Sequence, residues 1–275
     1  MMRWKTYAFL FPLIVWGETV AQASDVGRPF FAFQNGVRFS SAEERIEALK
    51  TLGYDGIGSA RPQDLENRLK LYDAAGLKIF SLYLGGLLNP NGTEVSPEIK
   101  EAIRILNGRP TVIELFVRGG SSNTDEEAIA YVREVADLAN ESGLKVVLYP
   151  HSGFYVDTLS DAVRIARLSE RENVGAMFNL CHFLKVEPEA DLAQELKNAK
   201  PYLWRVSTSG ADVGGTNWGQ LIQTLDQGSF DQTTLFAILD EIGYRGPVGL
   251  QCYAIKGDPF QNLERSIQAW RRLSD

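Results

Sequence analysis

KVVLYPHSGFYVDTLSDAVRIARLSERENVGAMFNLCH, residues 145–182, contains the repeating unit of this protein. Two short apolar runs, KVVLYPH (145–151) and VGAMFNLC (174–181), flank DAVRIARLSE (161–170), whose apolar residues recur at helical spacing. A strand, a helix and a strand joined without a long linker imply parallel strands with a crossover helix between them.

The same alternation runs along the rest of the chain. Strands are expected at PFFAF (29–33), YDGIGS (54–59), KIFSLYLG (78–85), TVIELFV (111–117), LWRVSTS (203–209) and PVGLQCY (247–253). Helix-like segments separate them: SAEERIEALKTLG (41–53), DLENRLKLYDAAG (64–76), SPEIKEAIRILNG (96–108), TDEEAIAYVREVADLANESG (124–143), DLAQELKNAK (191–200) and FDQTTLFAILDEIG (230–243). Ser41 and Thr124 stand before acidic residues, as N-caps that satisfy free amides do. Gly53, Gly76, Gly108, Gly143 and Gly243 follow the last periodic residue, where a left-handed cap favours glycine. The echo between LGYDGI (52–57) and IGYRGPV (242–248) fits a fold built of repeated units. About eight such units in about 250 residues match a single (β/α)8 TIM barrel. An open doubly wound sheet usually has fewer strands, and no GxGxxG follows the first strand.

The first residues read differently. Arg3 and Lys5 precede an apolar stretch from Tyr7 to Trp16, and Ala-Gln-Ala follows at 21–23. That order is the layout of a secretory signal peptide, and the stretch is too short for a membrane span of about 20 residues. The expected organisation is therefore a signal peptide over 1–23 and one barrel domain over 24–275, in a secreted or periplasmic protein. No later segment is long and apolar enough to span a bilayer. A net charge of −7 with no basic run argues against nucleic acid or an anionic membrane as partner. Two cysteines do not make a disulfide scaffold. Cys181 shares strand parity with Asn179 and is expected to face inward, whereas Cys252 is expected to face the helices. One strand separates theirs, so both are expected as free thiols.

In such a barrel, active sites lie at the C-terminal ends of the strands. The chain has only two histidines, His151 and His182, and both follow buried runs at that rim on consecutive strands.

Together FNLCH (178–182), the GSFD turn (228–231) and GYRGPVGLQ (243–251), in that order and spacing, resemble the xylose isomerase-like TIM barrels, a family of sugar isomerases and epimerases. The resemblance covers nearly the whole chain after the leader and is strongest over 140–275. It implies a carbohydrate substrate and a divalent Mn or Mg ion, held by Glu, Asp, His and Glu from the last four strands, with both glutamates moving protons. Transferred to this sequence, those positions fall on Tyr149, Asn179, Ser207 and Gln251. Three carboxylates are thus replaced by neutral groups, and a shift of one residue restores none of them. A dication in a partly buried cup without carboxylates is left uncompensated. The expectation is no metal and no other cofactor. A relocated, more zinc-like site built from His151, His182 and Asp212 is the alternative.

The expected catalytic residues are His151, His182 and Lys185. The resemblance places His182 where the family often has a histidine that touches substrate, and Lys185 is read in a loop above the pocket. Tyr149, Asn179, Ser207, Gln251, Arg118, Asp212 and Trp218 are expected to bind substrate, with Trp218 stacking on a sugar face or packing on the rim. Asp212 also reads as a turn residue. Glu114 is expected in a core ion pair, with Arg205 as a candidate partner. Asn35 and Tyr83 are weaker candidates for the same cup. The chain reads as an exported isomerase or epimerase-like protein acting on a small carbohydrate by acid–base proton transfer, because imidazole titrates near pH 6.5. Lys185, Arg118 or Asn179 would then stabilise the enolate oxygen. A non-catalytic carbohydrate-binding protein and a keto-sugar lyase are the other readings.

Overall fold

In the computed structural model the described residues are Met1 and 27–274, so the leader expected over 1–23 lies, apart from Met1, outside them. The strands are β1 (Phe30–Phe33), β2 (Gly56–Gly58), β3 (Lys78–Ile79), β4 (Ser81–Leu87), β5 (Val112–Arg118), β6 (Val146–Leu148), β7 (Val174–Asn179), β8 (Leu203–Thr208) and β9 (Val248–Leu250). All neighbours pair in parallel, in the order β3-β2-β1-β9-β8-β7-β6-β5-β4. The two ends of that order are one stave interrupted at Phe80. The Phe80 amide donates to the Ile57 carbonyl at 2.7 Å, and its carbonyl accepts from Val112 at 3.0 Å. Ala60 and Tyr83 continue the ladder, since Ala60 donates to Ser81 and Tyr83 donates to Ala60. Eight staves therefore close on one another, and among the described residues no sheet edge is left unpaired.

The helices are α1 (Ala42–Leu52), α2 (Leu65–Ala74), α3 (Pro97–Ile105), α4 (Asp125–Glu141), α5 (Leu159–Ser169), α6 (Leu180–Val186), α7 (Leu192–Ala199), α8 (Trp218–Leu221), α9 (Gln232–Glu241) and α10 (Pro259–Ser274). The expected caps are present. Ser41 Oγ accepts from the Glu44 amide, and Thr124 forms a reciprocal capping box with Glu127. Each such cap contributes about 1 kcal/mol. The five expected terminal glycines all have φ between 68° and 82°. Helices α6, α8 and α10 lie outside the predicted set. In α10, Leu263, Ile267 and Trp270 are buried, and Trp270 stacks on Phe30 of β1 at 4.1 Å, covering the seam between the first and last staves. Among the described residues no helix is long and apolar enough to cross a membrane.

Large side chains fill the barrel where glycines make room. Phe31 stacks on Phe80 at 4.6 Å and lies near Phe33 at 6.1 Å. A Cβ on Gly58 would come within 2.0 Å of the Phe31 ring, and one on Gly249 within 2.5 Å of the Phe33 ring. Gly228, in the GSFD turn, has φ 89°, and a Cβ there would lie 2.2 Å from the Ala211 carbonyl oxygen. Both strain and overlap follow from any side chain, so Gly228→Ala is expected to lower stability by about 2–5 kcal/mol in urea unfolding. An unchanged midpoint would show that the turn relaxes freely.

Candidate active site

A cavity of about 330 Å³ opens at the C-terminal mouth of the barrel. Tyr83, Tyr149, His151, His182, Trp218 and Gln251 form much of its wall. His151 follows β6 in the turn that carries the chain to α5. His182 reaches the same place from the first turn of α6, which starts immediately after Asn179. Strand β7 thus ends two residues earlier than its apolar run suggests. Cys181 and His182 are helical, so the strand parity expected of Cys181 does not apply.

The two imidazoles are neighbours, with ring centroids 4.2 Å apart. They belong to a longer stack: Phe154 lies on His151 at 3.9 Å, and Trp218 meets His182 edge-on at 5.1 Å. A single peptide residue sets their tautomers. His151 Nδ1 is 2.9 Å from the Ser152 carbonyl oxygen, which can only accept. Nδ1 of His151 therefore carries the proton, and its Nε2 holds a free lone pair. The Ser152 amide can only donate, and it donates to His182 Nδ1 at 3.2 Å. Neutral His182 therefore carries its proton on Nε2. One ring is set as a base and the other as a hydrogen-bond acid.

Electrostatics keep both rings neutral. Burial, and after it the closeness of the His151 ring, which resists a second proton beside it, pushes His182 down to about 3. Burial also lowers His151; the hydrogen bond to Ser152 opposes this, and the Arg118 charge adds to it. Two rings this close cannot both be protonated without strong repulsion.

Comparison with known proteins places this architecture. Residues 46–273 match the family model of the xylose isomerase-like TIM barrel. The chain belongs to the xylose isomerase-like TIM barrel family. Among solved structures, the apo 3-keto-D-glucoside 4-epimerase YcjR from E. coli superposes with a TM-score of 0.70 at 20% identity, covering 89% of this chain and 99% of that one. D-allulose 3-epimerase from Methylomonas sp. gives 0.70 at 16% identity, covering 90% and 98%. The probable 3-DHS dehydratase AsbF from Bacillus anthracis gives 0.69 at 12% identity, covering 89% and 98%. At these identities the likeness is one of fold. No curated protein sequence matches.

Within this xylose isomerase-like barrel, the four positions transferred from the family's metal ligands are all buried. Tyr149 Oη accepts from Asn179 Nδ2 and, at 3.4 Å, from Gln251 Nε2. The amide orientations are fixed from the other side. Asn179 Oδ1 accepts from Cys181 Sγ at 3.2 Å, and Gln251 Oε1 accepts from the Tyr253 amide at 3.2 Å. Both amides thus present N–H donors, not lone pairs, to the phenol. Burial raises the Tyr149 pKa well above the ordinary phenol value, so its oxygen keeps its proton. The Ser207 hydroxyl has no hydrogen-bond partner. These residues do not fit a hard dication, which requires anionic or carbonyl oxygens. Asp212 is not gathered with the imidazoles: its carboxylate accepts from the Ser229 amide in a turn, and among the described residues no three His, Cys, Asp or Glu side chains converge.

Other expectations need correction. Lys185 is on α6, not in a loop, and its Nζ donates to the Thr216 carbonyl at 2.6 Å, tying the helix to the 210–217 segment. Arg118 is exposed at the end of β5, with its guanidinium over the rings of Phe116 and Phe154. Neither cation lines the cavity. Asn179 and Ser207 lie in the barrel but do not line the cavity either. Glu114 forms no ion pair; neither carboxyl oxygen meets hydrogen-bond geometry, and Arg205 donates to the Trp204 carbonyl instead. Trp218 fulfils both of its readings, lining the cavity and packing on His182. Asn35 and Tyr83, the weaker candidates, are in the wall, together with Ser59, Ile222 and Tyr253, which were not foreseen. Ser59 and Tyr253 each close a predicted strand, and that position was their only signal. Both cysteines are free: Cys181 contacts Asn179, and Cys252 donates to the Phe33 carbonyl at 3.5 Å.

Proposed function

We propose that this protein is an exported sugar isomerase or epimerase that moves a proton on and off the carbon beside a carbonyl, using His151 and His182 and no divalent metal. The opposed tautomers of the two imidazoles carry this reading. His151 Nε2 takes the proton from the carbon, breaking the C–H bond. His182 Nε2–H donates to the carbonyl oxygen as charge develops there, and Tyr83 or the Gln251 amide offers further donors in the wall. Return of the proton from His151 to the neighbouring carbon, with His182 passing a proton from the hydroxyl to the carbonyl oxygen, completes isomerisation. Delivery of a solvent proton to the opposite face, with His151 releasing its own to solvent, completes epimerisation. Burial supports the scheme by keeping a free base at neutral pH.

Membership of a family that includes sugar isomerases and epimerases supports the substrate class. So do the names of its structural neighbours, epimerases of 3-keto-D-glucoside and D-allulose. The basic, apolar and small-residue order over 1–23 supports export. The inward-turned hydrogen bonds of Tyr149, Asn179 and Gln251 support the loss of the metal, and equally favour a pocket that only binds sugar. Incubating the protein purified in chelator with a panel of ketoses and keto-glycosides in D₂O, followed by NMR, separates the two. Deuterium incorporation beside the carbonyl is expected; binding without incorporation would identify a sugar-binding protein. A dependence on added Mn or Mg would overturn the metal-free mechanism.

A further inference from the structure

We propose that the cavity selects an uncharged sugar or glycoside and rejects sugar phosphates and sugar acids. This rests on the carbohydrate reading above and narrows its substrate class. Among the described residues of the cavity wall, none is Lys, Arg, Asp or Glu. Of the cations expected at this rim, Lys185 is tied to the Thr216 carbonyl, and Arg118 stays outside the wall over the Phe116 and Phe154 rings. His182 is 5% exposed and accepts a hydrogen bond at Nδ1, the arrangement of a neutral ring. One barrel layer holds an acid instead: Glu114 pairs in register with Tyr83 of the wall, and neither of its oxygens meets hydrogen-bond geometry.

The polar groups present suit hydroxyls. Asn35 Oδ1 is buried without a partner, and the structure leaves His151 Nε2 as an acceptor. Both need a donor, which a sugar hydroxyl supplies and a phosphate dianion does not. Tyr83 and the Gln251 amide can donate in return. Trp218 and Tyr253, 36% and 46% exposed, offer ring faces to the C–H surfaces of a sugar. A dianion entering this wall would lose its hydration with no cation in the wall to pair with it, a costly transfer in a protein.

Calorimetric titration of the full chain with matched probes tests this: D-fructose against D-fructose 6-phosphate, D-ribulose against D-ribulose 5-phosphate, and methyl β-D-glucopyranoside against D-glucuronate. Each neutral member that binds is expected to do so about 100-fold or more tightly than its charged counterpart, the penalty of an unpaired buried charge. Equal or tighter binding of a charged member would overturn the selectivity and leave the carbohydrate reading standing. Failure of every probe to bind would overturn both.

Discussion

Replacing His151 with glutamine should slow deuterium exchange into the sugar by about 10²–10⁴-fold, the usual contribution of a positioned general base. Glutamine keeps polarity and approximate volume but has no basic lone pair, so substrate affinity should change far less than turnover. The pH profile adds a readout that a structural role would not move. His151 titrates below the ordinary imidazole value because it is buried, so the wild-type rate should be flat through neutrality and fall only as pH drops below about 6.5. That acid limb should vanish in the His151→Gln variant. His182 is assigned the complementary task, so His182→Gln, which retains an N–H donor, should keep more activity than His182→Leu. Exchange at the wild-type rate in His151→Gln, with circular dichroism showing a native fold, would remove the mechanism.

Acid should destabilise the protein through His182 in particular. The unfolded chain takes up its proton near pH 6.5, whereas the folded protein resists until about 3. Between those values the unfolded state binds more protons, so stability is full above 6.5 and is lost as pH falls. The whole window is worth about 3–5 kcal/mol. His151, also lowered by burial, acts in the same direction. Glu114 opposes them. Burial raises its carboxyl to about 6, with the Ser81 and Ser59 hydroxyls and Arg205 offsetting only part. A raised carboxyl costs stability as pH rises through 4.5 to 6, about 2 kcal/mol once neutrality is reached.

Between pH 4.5 and 6 the two residues nearly cancel in the wild type. Removing either should therefore unmask the other. His182→Leu should change the slope of unfolding free energy by about 1.4 kcal/mol per pH unit in that window, and Glu114→Gln should steepen the acid loss while adding about 2 kcal/mol at pH 7.5. Urea unfolding from pH 4.5 to 7.5 measures both. A His182→Leu slope identical to wild type would show that His182 is solvated in the folded protein.

Much of this architecture is legible from local signals. The alternation of apolar runs with helical periodicity sets the number of staves, since eight parallel strands with crossover helices have one economical way to close. Ser41, Thr124 and the five terminal glycines mark helix ends because capping is decided by adjacent residues. The same logic places His151 and His182 at the C-terminal rim, while the neutral residues at Tyr149, Asn179, Ser207 and Gln251 gain meaning only from the family resemblance. Strand ends are less legible: apolar residues flank Asn179 on both sides, and although asparagine is a common N-cap, its side chain makes no capping hydrogen bond and turns to Tyr149 instead. Contacts between segments distant in the chain are not legible at all. Nothing near Lys185 reveals that Thr216 captures it, nothing near Glu114 reveals that Arg205 turns to Trp204, and nothing near His182 reveals that the Ser152 amide fixes its tautomer. Composition and spacing identify the barrel and the rim at which the two imidazoles stand. Which side chains are charged, paired or free to react there depends on loops meeting across the mouth, and that meeting exists only once the chain has folded.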